Sequence, residues 1–421
     1  MTRYYRTRDV NATNDSRGLR ICLDMLARKR VAFFNPIFAH YRAALLRELR
    51  LSTTFDYFLF ADSHDRYSNI LTLDLKSDPQ FTAAPRQRLL RNLVWQRGTM
   101  IPTLFGDFDA YILHGDANYI SSWLGAIFAR LRRRRVLFWT HGWTRTDTGL
   151  KRLVRRSFYR LGHGLLLYGD RAKCIGMDCG FAADALYVMR NSLDFDYQEM
   201  LLERIRPEDR IAIRARIFGD AETPVVIATA RLTKKKRFDL LVRALGILGR
   251  RGRRANLLIV GDGSERSRLR ALAQTEGVHA FFTGACHDED RLAEYFACAA
   301  VTVSPGDVGL TCMHSLGYGV PVITHSDPRD QMPEWEAILP GSNGDLFEKD
   351  NVADLADKIE RWIRTPTVPE SVRAACLSKV AAQYNARFQA HSIELALRGL
   401  PAPMSCMEFE VCVGSRHERK T

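Results

Sequence analysis

The chain has 421 residues, 46% of them hydrophobic, which predicts two domains with sizeable buried cores. Its formal charge of +14 predicts an anionic partner: nucleotide phosphates, an anionic membrane surface or nucleic acid. The nine cysteines are scattered without a CxxC pair, which argues against a disulfide framework or a zinc site and predicts reduced thiols.

The first half alternates short apolar runs with helical patterns. Residues 1–28 are polar and are expected to form a disordered or variable tail. Strands are predicted at 30–34, 55–60, 110–113, 136–139, 164–168 and 185–189, with helices around 41–49 and 120–131. This alternation indicates a parallel, doubly wound sheet, in which ligands bind the loops after the carboxyl ends of the strands.

The second half shows the same alternation. Strands are predicted at 225–228, 256–260, 281–282, 301–304 and 320–324, and helices at 239–248, 265–274, 291–297, 350–362 and 371–398. The charged, helix-prone stretch 203–217 is expected to lead into this part. The fold prediction is therefore α/β, with two doubly wound, Rossmann-like domains facing a central cleft.

The segment 304–324, SPGDVGLTCMHSLGYGVPVIT, carries the strongest functional signal. A turn leads to Gly309 and Leu310, where a helix can begin, and Gly319 and Pro321 end that helix before a β-branched run. The first amides of a helix have no partner inside it, so a helix start after a strand predicts an anion site.

Two further loops are expected at the same edge. Arg231 and Lys236 follow a strand and can neutralise a diphosphate leaving group, although a solvated basic turn would give the same pattern. The turn Gly261-Asp262-Gly263 allows a ligand to approach the backbone, but it could equally be a tight strand–helix connection.

Two histidines end strands of the first domain. His141, in WTHGW, can hydrogen-bond a sugar hydroxyl or a reacting phosphate. The alternative is a structural histidine bonded to the backbone. His114 has a similar position with less support.

These motifs together resemble glycosyltransferase family 4, the retaining, nucleotide-sugar-dependent group with the GT-B fold. ATARLTKKKRFDLL, LLIVGDGSERSRL, VGLTCMHSLGYGVPVIT and GSNGDLFEKDN follow the family order, and the resemblance covers roughly residues 225–362. The resemblance is weaker in the first half of the chain, where three shorter motifs carry it: WTHGW, LYGDRAK and MRNSLDFD. The implied domains are 29–195 for the acceptor, 196–369 for the nucleotide sugar and 370–400 as a helical segment, with a tail at 401–421.

The resemblance also implies roles for individual residues. The diphosphate is expected at the two cations and at the helix start, the nucleotide at the glycine turn, and the donor sugar near the histidine of WTHGW. The implied residues are Arg231, Lys236 and His141 for catalysis, Gly261, Asp262, Gly263, Asp307, Gly309, Leu310, His314, Ser315 and Glu334 for the donor, and His40 and Arg42 on the acceptor side.

The chain departs from the family at two glutamates. The first, which positions the donor sugar, falls on Gly306, beside Asp307. The second, which accepts ribose hydroxyls and precedes an alanine, falls on His314, followed by Ser315. An unprotonated imidazole nitrogen can accept a hydroxyl, but more weakly than a carboxylate does. The pattern around His314 resembles that of a variant bacterial subgroup with His-Ser in place of the second Glu-Ala.

The predicted function is that of a retaining, metal-independent glycosyltransferase without a cofactor. It would move a sugar from a nucleotide sugar to a saccharide or lipid-linked acceptor, in cell-surface polysaccharide or lipopolysaccharide synthesis. The alternatives are an inactive GT-B scaffold or binding protein and another sugar-nucleotide enzyme such as an epimerase. A nucleic-acid partner is disfavoured because the sequence has no RNA-binding aromatic signature or recognition-helix pattern.

Two basic segments suggest a membrane partner. LRRRR at 131–135 ends one predicted helix of the first half, and KRLVRR at 151–156 lies on another. Both segments suit docking on anionic lipid. Cations that complement a helix dipole are the alternative. With no transmembrane run or signal peptide in the sequence, the expected location is cytoplasmic, with peripheral binding to the inner face of the membrane.

Overall fold

A computed structural model describes residues 28–403, apart from Arg66, Ser68, Asn69 and Arg91. The predicted tails therefore lie outside the described residues, except for residues 28 and 401–403. Two parallel sheets and one short hairpin organise the described part of the chain.

The first sheet has seven parallel strands in the order β3-β2-β1-β6-β7-β8-β9. Its strands are β1 (Lys29–Phe34), β2 (Phe55–Ala61), β3 (Phe81–Ala83), β6 (Ala110–His114), β7 (Arg135–Trp139), β8 (Gly164–Leu167) and β9 (Leu186–Val188). The helices of this part are α1 (Ala43–Arg50), α2 (Met100–Phe105), α3 (Ile120–Leu131), α4 (Gly149–Tyr159) and α5 (Asp170–Asp178). The hairpin pairs β4 (Arg86–Leu90) with β5 (Leu93–Gln96).

Helices cover both faces of this sheet because its strands are apolar on both sides. In β1, Val31 and Phe33 pack with α1, while Ala32 and Phe34 pack with α3, as the two-residue period of a strand requires.

The second sheet has six parallel strands in the order β12-β11-β10-β13-β14-β15. Its strands are β10 (Val225–Thr229), β11 (Asn256–Val260), β12 (Ala280–Gly284), β13 (Val301–Ser304), β14 (Val322–His325) and β15 (Gly344–Phe347). The helices are α6 (Phe195–Glu203), α7 (Pro207–Phe218), α8 (Phe238–Arg250), α9 (Arg266–Thr275), α10 (Glu289–Ala297), α11 (Leu310–Gly317), α12 (Val352–Trp362), α13 (Glu370–Gln383) and α14 (Ala386–Arg398). The predicted architecture of two doubly wound sheets is confirmed; the domain boundaries themselves stay a prediction.

The prediction of one continuous helix at 371–398 is wrong, because the structure has two helices there, α13 and α14. Asn385 is extended and accepts the Phe388 N–H at 2.9 Å, which ends α13 and caps α14. The break lets α14 return to the first sheet, where Ile393 and Leu397 are buried. No helix among the described residues is both long and apolar enough to cross a membrane.

Candidate active site

Three loops meet at the carboxyl edge of the second sheet, after β10, β11 and β13. They are residues 230–237, 261–264 and 305–309. The first loop lies between the other two, since the Leu232 N–H donates to the Asp262 carbonyl at 2.9 Å and the Gly306 N–H donates to the Lys236 carbonyl at 3.1 Å. The structure therefore brings together the three predicted donor loops.

Glycines allow the turn at 261–263 to approach the first loop. Gly261 and Gly263 have φ of +148° and +157°. A Cβ on Gly261 would lie 2.0 Å from the Ala230 carbonyl oxygen, and one on Gly263 would lie 2.3 Å from that of Leu232. These two positions therefore require glycine. Between them, Asp262 is exposed.

Lys236 is held at this edge by Asp307. Its Nζ donates to the Asp307 carbonyl at 2.9 Å and lies 3.0 Å from the carboxylate, while Lys235 Nζ lies 2.8 Å from the other carboxylate oxygen. Burial acts to raise the pKa of Asp307, but Lys236 and Lys235 outweigh it and hold that pKa below its ordinary value. Arg231 is exposed on the same loop.

The backbone at Gly306 leaves no room for a side chain. A Cβ there would lie 2.3 Å from the Lys235 carbonyl oxygen and 2.9 Å from the Lys236 Cα. The position at which the family resemblance places its first glutamate is therefore sterically closed in this chain.

Helix α11 begins at this edge, as predicted for the segment after β13. Gly309 is its N-cap residue, Leu310 is its first helical residue, and no side chain caps its first amides. Further along, His314 faces Glu289 of α10. Ser315 lies in the core, where its hydroxyl bonds Thr302 at 2.6 Å and the Val320 carbonyl at 2.8 Å.

A cavity of about 820 Å³ opens at the carboxyl edge of the first sheet. Its lining includes His114 at the end of β6, His141 after β7 and Arg42 just before α1. His141 is exposed to solvent in the open cavity. Desolvation by the surrounding protein atoms, and then the charge of Arg42, lower its pKa to about 4. Burial likewise lowers the pKa of His114 to about 4, although Asp116 opposes the change. Both imidazoles are therefore neutral near neutral pH.

Two predicted acceptor-side residues have different surroundings. Arg42 lines the cavity and donates to the Tyr168 hydroxyl at 2.7 Å. His40 lies outside the cavity lining, with its ring 6.0 Å from that of His287 in the second half of the chain.

Glu334 interacts electrostatically with both the cavity and the donor loops. It is buried, accepts the Asn191 amide at 2.5 Å, and feels the charges of both Arg42 and Lys236. Burial nevertheless raises its pKa.

Sequence reasoning missed several residues of this region. Arg190 binds Glu336 at 2.8 Å and Asp170 at 2.5 Å, and Glu336 accepts the first two amides of α5 at 2.7 and 3.0 Å. No local pattern marks these contacts between the two halves. Tyr168, by contrast, directly follows β8 at the ligand-binding edge, a position that could have revealed it.

The second half of the chain is similar to a known protein family. Residues 209–376 match the family described as glycosyl transferases group 1. The match covers less than half of the chain and shows that this region is similar to the family. The predicted resemblance to glycosyltransferase family 4 is thereby confirmed.

Curated relatives match part of the chain. A GDP-mannose-dependent monoacylated alpha-(1-6)-phosphatidylinositol monomannoside mannosyltransferase of Corynebacterium glutamicum is 30% identical over 167 residues, which are 37% of this chain and 44% of that protein. The lipopolysaccharide core biosynthesis glycosyltransferase LpsE of Rhizobium meliloti is 28% identical over 153 residues, 36% of this chain and 42% of that protein. The chain thus spans less than half the length of these relatives.

Solved structures share the overall architecture. Anabaena HepE in complex with UDP superposes with a TM-score of 0.65 at 16% identity, over 88% of this chain and 100% of that one. A glycosyltransferase from Rickettsia africae gives 0.67 at 14% identity, over 88% of this chain and 98% of that one. These likenesses confirm the predicted GT-B fold.

Proposed function

We propose that this chain is a retaining glycosyltransferase that moves a sugar from a nucleotide-sugar donor to a saccharide or lipid-linked saccharide acceptor. The convergence of the three predicted donor loops at one sheet edge, with Glu334 interacting electrostatically with both Lys236 of these loops and Arg42 of the cavity, is the observation that carries the proposal. Relatives named as a GDP-mannose-dependent mannosyltransferase and a lipopolysaccharide core glycosyltransferase support it, and they favour a role in cell-surface glycoconjugate synthesis.

In this mechanism the donor diphosphate lies against Arg231, Lys236 and the first amides of α11. These groups take up charge as the bond between the sugar C1 and the phosphate oxygen breaks. The acceptor hydroxyl forms its bond to C1 from the face that the diphosphate leaves, and its proton passes to the departing phosphate oxygen. The cationic side chains fill the electrostatic role that a metal ion would otherwise have.

The cavity is the proposed binding site for the acceptor. His141 is neutral, so it can hydrogen-bond the donor sugar without placing a second charge beside Arg42. A volume of about 820 Å³ is sufficient for a saccharide of a few rings.

Replacing Arg231 tests the donor site. Arg231→Ala should lower kcat roughly 100- to 1,000-fold, as expected when one donor to a developing charge is lost. Arg243→Ala, an exposed arginine on α8, is the matched control. A panel of UDP-, GDP- and ADP-sugars, assayed for slow hydrolysis and thermal stabilisation, would identify the donor first. Near-normal transfer by Arg231→Ala would overturn the assignment, while tight binding without hydrolysis or transfer would indicate a scaffold.

Helix α4 is the proposed contact with an anionic membrane. Leu150, Leu153 and Val154 are exposed on its first turns among cationic residues, and Leu150 and Val154 also line the cavity. The basic segment after Leu131 instead lies at the opposite edge of the sheet, because α3 ends just before β7 begins. An apolar strip flanked by cations at the acceptor site matches the chemistry of an anionic lipid surface.

Vesicle binding tests this contact. Leu153→Ser should weaken sedimentation with anionic vesicles, high salt should abolish it, and Leu131→Ser should have little effect. Failure of the unmodified protein to bind anionic vesicles at low salt would refute membrane docking.

A further inference from the structure

Arg42 is a buried cation in the lining of the first-sheet cavity, and it forms no ion pair with a described residue. Only 7% of its surface is exposed, although it contributes to the cavity wall. Its two terminal nitrogens donate to neutral acceptors, the Tyr168 hydroxyl at 2.7 Å and the Gln389 amide oxygen at 3.5 Å. A guanidinium carries five N–H donors, so most of them have no acceptor among the described residues.

Aromatic rings hold this guanidinium in place. Its central carbon lies 5.2 Å from the centre of the Tyr41 ring, 5.3 Å from that of Trp139 and 5.5 Å from that of Tyr168. All three rings also line the cavity. They attract the cation and restrict its movement, but they supply no negative charge to neutralise it. A buried charge without a counterion is costly, so the site is arranged for an anion that comes from outside the chain.

The other charged residues of the cavity are already paired or do not reach Arg42. Lys151 and Arg155 lie 3.2 Å and 2.8 Å from the Asp147 carboxylate, which compensates both cations. Asp116 is the acidic residue of the described lining, and it is not paired with Arg42. The uncompensated charge of the described lining is therefore that of Arg42.

Glu334 does not take the place of the missing counterion. It senses the charge of Arg42, but its carboxylate accepts the Asn191 amide, and its second oxygen has no partner among the described residues. Burial raises the pKa of Glu334, which disfavours a full negative charge at that position.

We propose that the acceptor carries an oxyanion, either a sugar carboxylate or a sugar phosphate, and that Arg42 pairs with it inside the cavity. This inference rests on the proposed function and names the chemical class of its acceptor. The planar guanidinium can donate two parallel N–H bonds to either group. The neutral imidazoles of His114 and His141 line the same cavity, where they can hydrogen-bond sugar hydroxyls without competing for the anion.

Ligand-observed NMR titrations with simple sugars test the pairing. The probes are the methyl glycosides of glucuronate and galacturonate, glucose 6-phosphate and galactose 6-phosphate, and the neutral methyl glucoside and galactoside. The donor loops are first saturated with the tightest-binding of UDP, GDP and ADP, so that no probe can occupy the diphosphate site. An acidic probe should then bind roughly 10- to 100-fold more tightly than its neutral counterpart, as expected for a hydrogen-bonded charge pair. The tighter of the uronate and the phosphate identifies the oxyanion.

Variants of Arg42 locate the preference. Arg42→Gln should abolish it while leaving the affinities for the neutral glycoside and the nucleotide unchanged, and thermal unfolding checks that this variant is folded. Arg42→Lys should retain part of the preference, because the charge remains but the planar pair of donors is lost. Arg47→Gln is the matched control: Arg47 is an exposed arginine on α1 outside the cavity lining, so the preference should not change.

Two kinds of failure are distinguishable. Equal affinity for acidic and neutral probes, in a protein that binds nucleotide, would overturn the role of Arg42 alone. The same conclusion would follow from a preference that persists in Arg42→Gln, or from one that disappears when nucleotide fills the donor loops. Failure of the unmodified protein to bind any nucleotide would overturn the proposed function.

Discussion

Introducing a side chain at Gly306 should disrupt the donor site even where it restores the family residue. In Gly306→Glu the new Cβ would lie 2.3 Å from the Lys235 carbonyl oxygen, at least 0.7 Å inside the 3.0 Å below which such contacts are essentially never seen. The obstacle is backbone, so the loop carrying Lys235 and Lys236 must move.

The structure sets the scale of this effect. Overpacking of this kind costs about 1–3 kcal/mol of unfolding free energy, or roughly 2–4 °C in Tm for each kcal/mol in a domain of this size. Movement of the loop also breaks the 3.1 Å bond from the Gly306 N–H to the Lys236 carbonyl and displaces the Lys236 ammonium. Losing one charge-assisted contact with a diphosphate would weaken nucleotide binding roughly 10- to 100-fold.

Thermal unfolding and calorimetric nucleotide binding measure both effects. Gly306→Ala should already show most of the destabilisation, because its Cβ alone makes the clash. Gly249→Ala is the matched control: nothing lies within 4 Å of the added methyl group, and alanine favours the helix. Unimpaired nucleotide binding by Gly306→Glu would show that the loop adapts and would refute the steric reasoning.

Three further outcomes are expected. Glu336→Gln should lower the unfolding free energy by about 3 kcal/mol in urea titrations, because it removes a buried partner of Arg190 and the carboxylate cap of a helix; a change below about 1 kcal/mol would contradict this. The folded-state pKa of His141, about 4, lies below its ordinary value of 6.5, so the unfolded state binds more protons between these limits. Stability should therefore fall as pH drops from 6.5 to 4, and His141→Gln should flatten that slope in parallel pH titrations. Asn385→Ala should cost about 1 kcal/mol in the same urea assay, through loss of the cap on the Phe388 N–H; unchanged stability would show the cap to be dispensable.

Sequence reasoning predicted the features that local chemistry determines. The central strands are buried on both faces, so they read as short apolar runs bounded by polar loops. The helix start at Gly309 and the glycine turn at 261–263 follow from residues adjacent in the chain. Their shared location follows from the rule that parallel strands present their carboxyl ends at one edge.

Contacts between distant segments could not be predicted in this way. Glu289 and His314 come from different motifs, and only the packing of α10 beside α11 shows that they meet. The sequence likewise gives no sign that Glu336 caps α5, a helix in the other half of the chain. The hairpin formed by β4 and β5 was not predicted, because its sequence does not alternate clearly between apolar and polar residues. Most of β4 is exposed on both sides.

The donor sugar itself is expected to contact the first half of the chain more than the second. Gly306 cannot carry a carboxylate, and both oxygens of Asp307 face Lys235 and Lys236. Asp307 should therefore modulate the charge around the diphosphate and leave the sugar to the residues around His141. Asp307→Asn removes a negative charge while the backbone carbonyl still holds Lys236, so a nucleoside diphosphate and its sugar conjugate should both bind more tightly by about five-fold, equivalent to about 1 kcal/mol. Calorimetry with the two ligands measures the ratio of their affinities. A loss confined to the sugar conjugate would show that the Asp307 carboxylate contacts the sugar.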